Sequence, residues 1–255
     1  MIAYLFTSAF RDFLRPARFA LWVLVGLVVG MMSYYLANVM QSRDAMGQYG
    51  QLASLFAFRV VALAAAIFGS NVISQEIEQK TIVYLITRPI PRWQLILSRG
   101  LAAGLVTWIV SLPTLVGVAI AVRDVGPFNS VVLRDAGALF LGAYAYTALF
   151  IFVTLLVNKA MLWNLVFAFG WEVAVPNMGG STYFASINTY VQGLAAHSSN
   201  IAQQSVLRVI ASQNSAQGVG AGTSLAVLLG LIVAFTAAYC YWFSTHEYIP
   251  REDSD

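Results

Sequence analysis

Chemistry in this 255-residue chain would have to come from few side chains, because only 10% of them are charged. Arg59 and Glu172 draw notice first, since each interrupts an otherwise apolar run. A charge in hydrocarbon costs roughly 2.5 kcal/mol or more, so each needs a partner, a polar pathway or a route to the headgroups. Counted from the expected outer ends of their runs, Arg59 lies about seven residues in, or about 10 Å, and Glu172 about four, or about 6 Å. Such similar depths allow an intramembrane ion pair or a shared polar path. Separate snorkelling to the outer headgroups is the alternative.

Other chemistries fail on spacing. No G-x-x-x-x-G-K-[ST] sequence occurs, so the backbone cradle and lysine that hold ATP phosphates are missing. His246 and Glu247 begin like a zinc-protease motif, but Pro250 stands where the second histidine belongs. Gly179, Gly180 and Ser181 suggest a serine nucleophile, yet the only histidines are His197 and His246, and the latter is expected on the opposite side of the membrane. Cys240, the single cysteine, sits in an apolar run and reads as packing, with neither a disulfide framework nor a thiolate metal site. The chain is therefore expected to hold no catalytic residue, no metal and no cofactor of its own.

The elements that must position Arg59 and Glu172 follow from composition. At 59% hydrophobic, the chain is far more apolar than a soluble domain, and its longest uncharged runs match the about 20 residues that cross a bilayer. Six segments qualify: 19–40, 52–73, 101–122, 136–157, 161–176 and 223–244. The fifth is the weakest, because Glu172 interrupts it and Pro176 closes it, which suggests a broken or re-entrant helix. The N-terminal residues lack a small-residue cleavage site before the first apolar run, so that span is expected to be retained.

Orientation follows from the basic residues. With both termini in the cytoplasm, the inner side receives Arg11, Arg15, Arg18, Lys80, Arg88, Arg92, Arg99, Lys159 and Arg251. The outer side receives Arg43, Arg123, Arg134 and Arg208. Nine against four supports that assignment. Scattered in this way, the basic residues form no stripe for nucleic acid despite a net charge of +3.

Three segments lie outside the spans. Residues 1–18 form an interfacial segment, in which Ile2, Leu5, Phe6, Ala9, Phe10, Phe13 and Leu14 recur at helical spacing opposite Ser8, Arg11 and Asp12, and Pro16 breaks the helix before the first span. Residues 177–222 are rich in Ser, Asn, Gln and Gly with two apolar-periodic pieces, and predict short external or re-entrant helices. Between the second and third spans, residues 74–99 read SQEIEQKTIVYLITRPIPRWQLILSR. Glu76 and Glu78 suit the start of a short helix and Arg88 its end, while Pro89 and Pro91 turn the chain so that Arg92 opens the next helix. The whole, residues 1–255, reads as one all-α integral membrane domain.

The 74–99 segment resembles the type-2 permeases of ABC transporters, in which an acid pair, a threonine, an apolar run and a proline followed by arginine connect the second and third spans. Here these are Glu76, Glu78, Thr81, Leu85, Pro89 and Arg92. Lys80 replaces the glycine usual before the threonine. The six-span layout, the amphipathic first helix and the outer insertion extend the resemblance over nearly the whole chain.

That resemblance implies a permease, usually of an exporter, whose 74–99 segment is a cytoplasmic coupling helix docked on a separate ATPase. The coupling residues would be Glu76, Glu78, Thr81, Arg88, Pro89 and Arg92. It also implies that the second and fifth spans, with Arg59 and Glu172, line the translocation path. ATP and magnesium would be bound by the partner, and a second permease copy or a related chain would complete the path. An ion-gradient-driven transporter is the alternative from another class, although it would usually need more buried carboxylates than Glu172 supplies. A membrane assembly factor that transports nothing is the other.

Overall fold

The computed structural model describes residues 2–14, 16–40, 44–72, 91–122, 125–157, 159–175, 180–195 and 219–245. Among the described residues every regular element is helical, and five helices are long and apolar enough to cross a membrane. The predicted coupling residues Glu76, Glu78, Thr81, Arg88 and Pro89 lie outside the described residues, whereas Arg92 lies within them.

Helix α1 (Ile2–Phe13) is amphipathic and tucks Ala9 and Phe13 into the bundle, with Phe13 edge-on to Phe68 at 6.2 Å. The first span, α2 (Pro16–Met40), starts on a proline, at the helix position where a missing N–H leaves nothing unsatisfied. The second, α3 (Ala45–Asn71), starts well before the predicted residue 52 and contains a π-helical turn at Ala53–Ala57. Its early start puts Arg59 near the middle of the helix, seven residues further from the helix start than the apolar run alone suggests.

Two long helices form the centre. Helix α4 (Arg92–Ala121) opens on Arg92 directly after Pro91, as the proline spacing predicted. Helix α5 (Ser130–Leu156) starts where the Asn129 side chain accepts the Val131 N–H at 3.1 Å. Helix α5 packs against α3 and α4, and also against the later helices α7 (Ile187–Ala195) and α8 (Ala221–Thr245).

The predicted fifth span is the shorter helix α6 (Ala160–Ala174), with a second π-helical turn at Phe167–Trp171. It turns back against α5 through Lys159, whose left-handed φ of 58° costs a non-glycine residue about 1 kcal/mol.

Small residues set the closest contact between spans. A Cβ added to Gly26 of α2 would lie 2.8 Å from the Pro113 backbone of α4, and one added to Gly117 would lie 2.8 Å from the Gly26 carbonyl oxygen. Such backbone-to-backbone packing replaces the hydrophobic drive that helices lack in lipid. Outward, α2 and α8 leave Leu24, Leu27, Met31, Leu229 and Val233 exposed, an apolar surface suited to acyl chains.

Candidate functional site

The most concentrated polar chemistry in the apolar bundle surrounds Glu172, which follows the π-helical turn of α6 and is only 4% exposed. Its Oε2 accepts the Tyr146 hydroxyl at 2.8 Å, the Ser186 hydroxyl at 2.7 Å and the Asn188 N–H at 3.0 Å. Its Oε1 accepts the Ile187 N–H at 3.1 Å. All four are donors, matched to an ionised carboxylate that only accepts.

Ile187 and Asn188 are the first residues of α7, so Glu172 caps that helix from a different one. The opening N–H groups of a helix have no partner within it and carry the positive end of its dipole, and a carboxylate answers both needs. At the other end, Arg134 Nε donates to the Leu194 carbonyl oxygen at 3.2 Å, a cation at the negative end. The nine-residue α7 is thus held at both ends by charges from α6 and α5.

These contacts also place α7 in depth. Its N-terminus lies level with Tyr146 of α5, its middle puts Val191 against Gly142, and its C-terminus reaches Arg134. These contacts run along about 18 Å of α5, of which the nine-residue helix itself spans about 13 Å and the Arg134 side chain bridges the rest. Helix α6 covers the stretch before it, from the level of Thr154, whose hydroxyl accepts Asn164 Nδ2 at 3.2 Å, to Tyr146. End to end, α6 and α7 follow about 30 Å of α5, the thickness of the hydrocarbon layer.

A second buried acid escaped the sequence analysis. Asp135, fully buried in α5, accepts the hydroxyl of the equally buried Tyr49 of α3 at 2.7 Å. The expected fourth span began at residue 136, which left Asp135 in a loop. The signal was Asn129, a capping residue that starts the helix earlier. Tyr146 and Ser186 were missed because a single tyrosine or serine in an apolar stretch carries no spacing signature.

The structure does not bring Arg59 to Glu172. The four donors on the carboxylate come from elsewhere, and the Arg59 side chain is exposed on α3, just past the turn at Ala53–Ala57. Of the predicted coupling residues, Arg92 is half-buried at the start of α4. About two turns further on, Arg99 Nη1 donates to the Val72 carbonyl oxygen at 3.0 Å, joining the end of α3 to α4. The two helices that flank residues 73–90 are thereby tied together.

Over residues 4–248 the chain matches the ABC-2 family transporter proteins. It belongs to that family. No match was found among curated proteins. As an ABC-2 family member, the chain is a multi-pass membrane permease subunit of an ABC transporter, a non-catalytic subunit that pairs with an ABC ATPase. In this ABC-2 permease the Glu172 cluster builds a helix junction within the apolar bundle, and Asp135 with Tyr49 fastens α3 to α5 about 16 Å away along α5.

Proposed function

We propose that this ABC-2 permease is half of an export path through a bacterial-type inner membrane, completed by a second copy or a related chain. A separate nucleotide-binding subunit, holding ATP and magnesium, drives it. The family match across residues 4–248 carries this reading. In it, α6 and α7 together make the sixth crossing, split at Glu172, and both termini face the cytoplasm. Their combined run of about 30 Å along α5 supports the crossing, and the excess of basic residues on the inner side supports the orientation.

Coupling is assigned to residues 74–99, with Glu76, Glu78, Thr81, Arg88, Pro89 and Arg92 facing the ATPase. The bond from Arg99 to the end of α3 supports it, because a push on this segment would then reach α3 and α4 as one unit. On the outer half of the bundle, α7 occupies the place where an exporter needs a gate.

Co-purification tests the reading. The tagged wild-type permease is expected to retain an ABC ATPase and raise its hydrolysis, and the triple variant Glu76→Lys, Glu78→Lys, Arg92→Glu is expected to lose both. Undiminished pairing and stimulation in a folded triple variant would overturn the coupling assignment.

A further inference from the structure

Arg59 stands near the midpoint of the 27-residue α3, about 20 Å from either end. Since the hydrocarbon layer is about 30 Å thick and α3 about 40 Å long, Arg59 lies at least about 9 Å inside the layer wherever the helix is placed along its axis. Most of α3 is enclosed by its neighbours. One uncovered stripe remains, formed at four-residue spacing by Leu55, Arg59, Leu63 and Ile67, with Leu55 and Arg59 exposed and the other two partly so.

Nothing within the described residues neutralises this cation. Arg59 has no hydrogen-bond or ion-pair partner among them. Asp135 of α5 and Glu172 of α6, the acids on the helices packed against α3, are held by Tyr49 and by the α7 cap respectively. A bare guanidinium facing lipid tails at this depth is costly, and such residues face a water-filled cavity or a counter-charge instead. The flanking Leu55, Leu63 and Ile67 make the same stripe apolar above and below the charge.

We infer that Arg59 is an anion-binding residue within the translocation path, and that it takes the acidic headgroup of an amphiphilic cargo whose hydrocarbon lies along Leu55, Leu63 and Ile67. The inference rests on the permease reading for the existence of a path. The guanidinium supplies paired N–H donors to a phosphate or carboxylate, and the stripe supplies the apolar contact that a free anion would not use.

The test uses the full-length permease in phosphatidylcholine nanodiscs, with radiolabelled dodecyl phosphate as probe and empty nanodiscs subtracted. Unlabelled dodecyl phosphate is expected to displace the label, whereas dodecyltrimethylammonium, with the same tail, does not. Inorganic phosphate, with the same head, is expected to compete at least about tenfold more weakly. Arg59→Gln is expected to weaken binding about tenfold or more, and Arg59→Lys to keep most of it.

Equal binding by wild type and an Arg59→Gln variant of unchanged unfolding midpoint would overturn the site. So would displacement by the cationic amphiphile, and equal competition by inorganic phosphate would overturn its amphiphilic part. Loss of dimer in Arg59→Gln with unchanged probe affinity would assign Arg59 to a protein counter-charge and overturn it as well. A wild type that retains its ATPase but shows no Arg59-dependent binding refutes the site alone. Arg59-dependent binding without any ATPase partner refutes the permease reading instead.

Discussion

Arg59 and Glu172 occupy matching places and receive opposite treatment. Each lies in an apolar helix just beyond a π-helical turn, a distortion common at functional positions. Glu172 is enclosed by four donors, and Arg59 is exposed with no partner among the described residues. The comparison separates two uses of a charge in a membrane protein. A charge whose hydrogen-bonding capacity is filled from within holds the fold, and one left open is available to whatever enters from outside.

Removing each charge should therefore affect stability differently. Glu172→Ala strands two hydroxyls and two N–H groups inside the bundle and should lower stability by about 4 kcal/mol, read as a shift in denaturation midpoint in mixed micelles. An unchanged midpoint would mean that the cluster does not hold the α6–α7 junction. Arg59→Leu should leave the midpoint unchanged or raise stability by about 2 kcal/mol, because it removes an uncompensated cation from hydrocarbon. A large loss there would erase the distinction between the two sites.

Smaller substitutions sharpen the account of α7. Tyr146→Phe deletes one hydrogen bond of the cluster and should cost about 1.5 kcal/mol, with the fold preserved. Arg134→Ala, at the exposed end of the same helix, should cost only about 0.5 kcal/mol. Hydrogen exchange should show the loss confined to residues 187–195. If Arg134→Ala proved the more damaging of the two, α7 would be anchored from the outer surface rather than from Glu172.

The spans were legible because hydrocarbon demands long uncharged runs, and five of the six expected segments are long apolar helices. Pro16 and Pro91 marked helix starts for a local reason, the fixed backbone angle and missing N–H of proline. Gly26, Gly30, Gly104, Gly117 and Gly142 all lie within these apolar runs. In the structure a Cβ added at any of them would crowd a neighbouring helix. The end of α6 at Ala174 was also visible, since Glu172 and then Pro176 interrupt the apolar run.

What surrounds that carboxylate was not legible. Tyr146 and Ser186 approach it from positions 26 and 14 residues away in the chain, and no periodicity connects them. The start of α3 was not legible because Ala45 to Gln51 is too polar to read as membrane, yet it folds as the first turns of that helix. The sequence by itself determined that a membrane would be the solvent, where most helices would lie and that two charges needed an explanation. Hydropathy and backbone sterics act over a few turns of one segment. Only the tertiary structure decided which charge was satisfied, because the donors that reach Glu172 and the uncovered stripe that carries Arg59 exist only once separate helices pack side by side.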